Sequence, residues 1–247
     1  VADAEHPRKL TGVVVEDARG DRRMVPGAVV FSTMPIQSLV RGLRPTLPAP
    51  PDIYAISEGL EYRDFITVGL LLDRLTLQGA DGPLLDNWLY IQDPRVRVGR
   101  IQLFHNWSPY LIKDPGKAWI GLEYFCNRGD DLWSKTNDEM IRLALDEIER
   151  IGIGHRSTSR DGVVIRMPRT YPAYFGTYGQ FSTLQRWVDQ IENLYLIGRN
   201  GMHRYNNQDH SMLTAMVAVD NLVAGRTDRS NIWAVNTEPE YHEERSR

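Results

Sequence analysis

The chain has one cysteine among its 247 residues, Cys126, which excludes an internal disulfide framework. That cysteine lies in the apolar run Gly121 to Cys126 and reads as a small core residue rather than a nucleophile. Such sparing use of cysteine suits a reducing compartment, so a cytoplasmic location is expected. No stretch approaches the ~20 consecutive apolar residues of a membrane-spanning helix, and no signal peptide is visible. Charge of one sign is lacking too. Lys and Arg number 29 against 32 Asp and Glu, a net charge of -3, which removes any bulk electrostatic case for nucleic acid or an anionic membrane. There is no internal repeat, no low-complexity tract, and no Ser-His-Asp or Cys-His arrangement that stands out. His203 and His210, with Asp209 beside the second, have neither the spacing nor the third ligand of a metal site, so no metal is expected.

What is present begins with pattern. The chain opens at Val1 with a polar run through Lys9, as expected of a cut inside a larger protein or of a processed chain. Gly12 to Glu16 and Arg23 to Val25 read as strands joined by the turn Ala18-Arg19-Gly20-Asp21. Ala28 to Thr33 predicts a short buried strand ended by Pro35, and Ile36 to Leu43 a short helix. Pro45, Pro48, Pro50 and Pro51 predict an extended linker and a crossing between domains. Strands then follow one another at Phe65 to Leu72, Trp88 to Gln92, Arg100 to His105 and Ala118 to Cys126. With no helix between them, they predict an antiparallel sheet. Trp88, Tyr90, Trp107 and Tyr124 read as core or sheet-face residues.

Thr136-Asn137-Asp138-Glu139 is a capping box opening a helix that stops at Gly152, with Ile141, Leu145 and Ile148 on one face. Val163 to Met167 reads as a strand, Phe181 to Ile191 as a helix and Leu194 to Ile197 as a short buried strand. Asp209 to Ala224 reads as a helix ended by Gly225, and the residues after Arg226, with Glu238, Glu240, Glu243 and Glu244, as a mobile polar tail. The fold class expected is α+β, a mainly antiparallel, mixed sheet with packed helices.

The stretch with most chemical content runs from Leu194 through the loop Gly198 to Gln208 into the helix at Asp209. Two glycines allow close approach to a ligand. The first amides of a helix have no internal partner and carry partial positive charge, so an electron-rich group is stabilised there. Asp209 is expected to cap the helix through the amide of Ser211 or Met212. The helix is apolar nearly all round, from Met212 to Val223, and is therefore expected to be buried. Its first amides then need partners, and a cofactor, protein carbonyls or water would each serve.

This stretch resembles the C-terminal flavin-contacting segment of the FAD enzymes that include flavin amine oxidases, protoporphyrinogen oxidase and UDP-galactopyranose mutase. The match falls on Gly198, Arg199, Tyr205, Asp209 and the amides around His210, Ser211 and Met212. Further segments agree in order: Ala28 to Pro35, Tyr62-Arg63, Arg95 to His105 with Arg100-Ile101, Gly121 to Tyr124, and Tyr171-Pro172. The resemblance implies FAD as cofactor, bound through Gly198, Arg199, Asp209, His210, Ser211 and Met212. It implies a small-molecule substrate, a sugar nucleotide in the mutase case, met by Arg100, Tyr171 and Tyr205. It also implies a division into 1–45 (hairpin and returning strand, the remnant of a Rossmann-like FAD domain), 46–192 (substrate domain), 193–225 (flavin-contacting strand, loop and helix) and 226–247 (tail). The sequence departs from the family in having no Gly-x-Gly-x-x-Gly after a strand. The phosphate cradle is missing, and the chain alone is expected not to retain FAD.

Three functions compete. The first is the C-terminal part of an FAD-dependent oxidoreductase, itself inactive as a fragment. The second is a mutase-like, flavin-dependent isomerase of sugar nucleotides. The third is a non-catalytic binding or structural domain. Exposed edges of the strands at Ala28 and Leu194 add a homodimer as a hypothesis.

Overall fold

The computed structural model describes residues 5–6, 8–79 and 82–236. The chain divides into two compact units: unit 1, Val1–Tyr62 with Tyr171–Arg247, and unit 2, Arg63–Thr170. Residues 46–62 and 171–192 cluster with unit 1, and the chain passes between the units at 62/63 and 170/171.

Along the chain come β1 (Gly12–Glu16), β2 (Arg22–Pro26), β3 (Val30–Ser32), α1 (Ile36–Leu43) and α2 (Pro51–Glu58). Next are β4 (Leu60–Leu72), β5 (Trp88–Tyr90), β6 (Arg100–Leu103), α3 (Phe104–Trp107), β7 (Ala118–Cys126), α4 (Asp131–Ser134), α5 (Asn137–Arg150) and β8 (Ser159–Gly176). The last are α6 (Phe181–Val188), β9 (Leu194–Leu196), α7 (Gly198–Gly201), α8 (Gln208–Val223) and α9 (Ser230–Trp233). The result is the expected α+β class, with a mainly antiparallel sheet.

Unit 2 is built on a five-stranded sheet in the order β5-β6-β7-β4-β8. β4 and β7 pair antiparallel from Asp64↔Cys126 to Leu72↔Ala118, and β6 pairs with β7 from Arg100↔Glu123 to Leu103↔Ile120. Side chains alternate across a strand, so one face carries Ile66, Val68, Leu70 and Leu72 with Ile120, Leu122 and Tyr124, all fully buried. Met140, Ala144 and Ile148 of α5 belong to the same core. The capping box at Thr136 and Glu139 starts α5 as its sequence predicts. Of the face expected at Ile141, Leu145 and Ile148, Ile148 lies in this core and Ile141 and Leu145 pack against it half-buried, while buried Glu147 beside them accepts from the amides of Arg97 at 2.7 Å and Val98 at 3.1 Å. Cys126 is buried, and burial pushes its thiol up to about 12, as befits a core residue.

Unit 1 holds the β1–β2 hairpin, the parallel pair β3–β9, and helices whose core includes Ile36, Val40, Ile53, Leu184, Val188, Leu194 and Ala218. The expected linker is in part a helix: Pro50 is the N-cap of α2 and Pro51 its first residue, a position where proline's missing amide is no loss. The strand expected to be buried at Ala28 to Thr33 has Phe31 exposed and only Ser32 buried. The expected tail needs correction as well. Ile232 and Trp233 of α9 are buried in the unit 1 core, because Asp228 turns the chain by accepting from Ser230 and buried Arg229 donates to the carbonyls of Asp189, Ile191 and Glu192. Glu238, Glu240, Glu243 and Glu244 lie outside the described residues. No helix among the described residues is long and apolar enough to cross a membrane.

Candidate functional site

In unit 1, β9 delivers the chain to Gly198, whose φ of 72° is a left-handed conformation that suits glycine. The Gly198 amide donates to Thr214 Oγ1 of α8 at 3.0 Å, which ties the loop to that helix. The short α7 turn follows and packs its backbone against β3. A Cβ on Gly201 would stand 2.4 Å from the Ser32 carbonyl oxygen, so only glycine fits without movement. The chain then reaches His203, fully buried at φ 47°, with Nε2 3.1 Å from the Ala173 carbonyl. Rings of Tyr62, Tyr178 and Phe181 surround it at centroid distances of 4.7 to 6.1 Å. Burial lowers its pKa to about 4, so the imidazole is neutral.

Arg199 sits at the centre of the loop. Its guanidinium carbon is 4.4 Å from the Tyr171 ring centroid and 4.3 Å from that of Tyr205, and Nη1 donates to the Asn206 carbonyl at 3.0 Å. The two tyrosine rings stack, with centroids 5.6 Å apart and planes 15° from parallel. Tyr174 fixes Tyr205 by accepting its amide proton at 2.6 Å. Asn236, close to the end of the described chain, donates to the Tyr205 carbonyl at 2.9 Å and to Asn206 Oδ1 at 3.1 Å. Of the residues expected at a site, the structure thus brings Arg199, Tyr171 and Tyr205 into one cluster. Tyr174 and Asn236 position that cluster and were not foreseen, because their contacts span about thirty residues of sequence (31 from Tyr205 for both).

Two expectations for the helix start change. The cap is Asn207, not Asp209. The helix begins one residue earlier, at Gln208, and Asn207 and His210 form a reciprocal capping box in which the Asn207 amide donates to His210 Nδ1 at 3.3 Å. Asp209 is exposed in the first turn, where its charge favours the helix dipole. Ser211 donates its amide to the Asn207 carbonyl at 3.0 Å, so the amides of Gln208 and Asp209 are the ones with no partner inside the helix. Met212 points away from the core, and α8 is not buried all round. Only Thr214, Ala218 and Asn221 are buried, because a single face of the helix meets unit 1. Apolar composition predicts burial only where a covering surface exists.

Arg100 lies in unit 2, on the sheet face opposite the core. It forms a buried ion pair with Glu123, which also accepts from Gln102 at 2.9 Å, and Trp107 donates to Gln102 Oε1 at 3.0 Å. The guanidinium carbon lies 5.6 to 5.9 Å from the rings of Trp88, Tyr90 and Phe125. Tyr124 is core, whereas Trp88, Tyr90 and Trp107 are exposed.

Whether the unit 1 site fits a flavin depends on its polar atoms. Ser32 Oγ, Asn200 Oδ1 and His203 Nδ1, all near the α7 turn in sequence or packing, are buried without a hydrogen-bond partner among the described residues. Orphans of this kind are rare in finished cores, and they accord with a polar ligand or water nearby. The amides of Gln208 and Asp209, without a backbone partner among the described residues, suit an electron-rich group such as the edge of a flavin ring. A glycine-rich cradle for the diphosphate of FAD is absent from the sequence. The residues fit the ring end of the cofactor and not its nucleotide end.

No protein-family model matches the chain, and no curated protein matches it either. Solved structures do. A reduced UDP-galactopyranose mutase superposes with a TM-score of 0.68 at 19% identity, covering 92% of this chain and 47% of its own. A candidate protoporphyrinogen oxidase from Exiguobacterium sp. 255-15 superposes with a TM-score of 0.55 at 14% identity, covering 84% of this chain and 45% of its own. The chain spans about half the length of either structure. At these identities the likeness is one of fold: the chain has an α+β fold shared with half of a mutase and half of a candidate oxidase.

Proposed function

We propose that the chain forms the part of a flavin-dependent enzyme that faces the flavin ring and binds a diphosphate-bearing substrate, and that isomerisation of a sugar nucleotide is the reaction this site fits best. The observation that carries the reading is Arg199 held against both Tyr171 and Tyr205, with its Nη1 on the carbonyl of Asn206, two residues before the start of α8. A guanidinium fork matches phosphate geometry, and phenol hydroxyls add donors of adjustable direction. The flavin, when bound, supplies the reactive ring. The chain's own part is electrostatic and positional: the amides of Gln208 and Asp209 favour negative charge at the ring edge, and Arg199 orients the substrate's anionic group. Similarity of fold to a UDP-galactopyranose mutase supports this reading.

A second reading, an FAD-dependent oxidoreductase of the amine oxidase and protoporphyrinogen oxidase type, is favoured by unit 2. There the charge of Arg100 is neutralised by Glu123, and the exposed rings of Trp88, Tyr90 and Trp107 suit an uncharged ring substrate.

Calorimetric titration with UDP tests the first reading directly. The expected result is weak binding, with Kd on the order of 0.1 to 1 mM, reduced at least about tenfold in Arg199→Ala. Absence of UDP binding, or binding indifferent to Arg199→Ala, removes the reading. Binding of an uncharged aromatic amine in place of UDP, lost in Trp88→Ala, would favour the second.

A further inference from the structure

His203 is fully buried, and its surroundings are costly for an imidazole. The backbone there is left-handed, at φ 47°, a conformation that a non-glycine residue keeps only where the surrounding structure fixes it. Nε2 lies 3.1 Å from the Ala173 carbonyl; a carbonyl only accepts, so the ring proton is on Nε2. Nδ1 is then a bare acceptor, buried with no hydrogen-bond partner among the described residues. The rings of Tyr62, Tyr178 and Phe181 surround it. A phenyl ring would fill the same space with no nitrogen to desolvate. What the imidazole adds is one bond, from Nε2–H to the Ala173 carbonyl.

That bond is the middle one of three ties between the loop after β9 and strand β8. The Arg199 guanidinium carbon lies 4.4 Å from the Tyr171 ring centroid, His203 donates to Ala173, and the Tyr205 amide donates to the Tyr174 hydroxyl at 2.6 Å. Loop residues 199, 203 and 205 thus meet strand residues 171, 173 and 174 in the same order. The outer two ties are made by the cluster itself, and each needs the strand already in place. The His203 tie joins the loop to the strand backbone through a short, stiff side chain, at a buried point where water does not compete for the bond. The imidazole also backs the site from behind. Its ring centroid is 5.9 Å from that of Tyr178, which stacks on Tyr174 at 4.6 Å with planes 20° from parallel.

We infer that His203 is a positioning residue of the candidate site: as an Nε2–H donor to the Ala173 carbonyl, it sets the separation of loop and strand at which Tyr171 and Tyr205 close on Arg199. The inference rests on the reading of Arg199, Tyr171 and Tyr205 as a site for a diphosphate, and it adds a residue that acts through those three. All of these groups belong to unit 1. Two properties are required of the side chain at this position, a donor at the reach of Nε2 and a body that the aromatic pocket accepts. Glutamine supplies the donor, phenylalanine only the body.

The experiment compares His203→Phe and His203→Gln by two readouts, UDP affinity by calorimetry and the Arg199 Nε–H resonance of the ligand-free chain. The faces of Tyr171 and Tyr205 shift that resonance, so it reports whether the cluster is closed. In His203→Phe, UDP binding is expected to weaken at least about tenfold and the resonance to move toward that of a solvent-exposed arginine. In His203→Gln, both are expected to return, the affinity to within about threefold of the original. Should the phenyl ring disturb folding, His203→Asn accepts the left-handed backbone, is too short to reach Ala173, and should show the same losses. Val188→Ala, which opens a cavity in the same core, should lower the melting temperature and leave the resonance in place. An unmoved resonance in both His203→Phe and His203→Asn, no recovery in His203→Gln, or an equal movement in Val188→Ala would each overturn the inference. Absence of UDP binding in the unaltered chain would remove the diphosphate reading alone, because the ligand-free resonance still decides whether His203 holds the cluster closed.

Discussion

In unit 2 the buried carboxylate of Glu147 accepts from two backbone amides and from the Tyr124 hydroxyl at 3.1 Å, and Asp64 accepts from the amides of Arg128 and Arg169. In unit 1, Ser32 Oγ, Asn200 Oδ1 and His203 Nδ1 are buried without partners among the described residues, and α8 leaves six apolar side chains exposed. A unit whose buried polar groups satisfy one another is organised for stability. The unit with unpartnered buried polar atoms among the described residues is the one that carries the cluster of Arg199, Tyr171 and Tyr205.

The largest effect that would sharpen this contrast is at Glu147. Glu147→Ala leaves two amides and a phenol unsatisfied in the unit 2 core, and a loss of about 4 kcal/mol is expected. Chemical denaturation followed by tryptophan fluorescence checks it; a loss under about 1 kcal/mol would mean that water reaches those groups.

Next is the pH response of unit 1. His203 has its folded pKa lowered to about 4 by burial, from an ordinary value of 6.5, so the unfolded chain binds the extra proton between those values. Stability from this group is complete above pH ~6.5 and is lost as pH falls toward ~4, by up to roughly 3 kcal/mol. His203→Asn, which tolerates the left-handed backbone, should flatten the slope in that window. An unchanged slope would place the titration elsewhere.

The sequence makes unit 2 far easier to read than unit 1, and the reason is physical. Alternation of apolar residues marks β4 and β7, and the capping box at Thr136 marks the start of α5, because each signal lies within a few residues. α1 and the hairpin β1–β2 are legible on the same grounds. The cap of α8 is ambiguous in the sequence because Asn207, Asp209 and His210 all have side chains fit for the role, and only the backbone decides that Asn207 caps. Burial of α8 is not legible in the sequence, because composition reports how apolar a helix is and not what covers it. In the candidate site, Arg199, Tyr171 and Tyr205 carry no local pattern of their own, and only the family resemblance singles them out. Tyr174, Asn236 and the α9 contacts depend on pairings that no local pattern announces.

Smaller effects test these same distinctions. Gly201→Ala forces a methyl group against the Ser32 carbonyl, and a loss of about 2 kcal/mol with weaker UDP binding is expected; thermal melts and calorimetry measure both. Thr136→Ala removes one side of the α5 capping box, with about 1 kcal/mol lost by denaturation and no change in UDP binding. A Thr136 effect on binding would erase the separation between a stabilising unit and a ligand-binding one.

The most direct measurement is a nitrogen–proton correlation spectrum of the arginine side chains during titration with UDP. The account predicts that the Arg199 Nε–H resonance, assigned by its loss in Arg199→Lys, moves saturably with UDP. It also predicts that Asn236→Ala, which loosens the loop around Tyr205, weakens the response. An Arg199 resonance that stays in place while UDP binds elsewhere would contradict it.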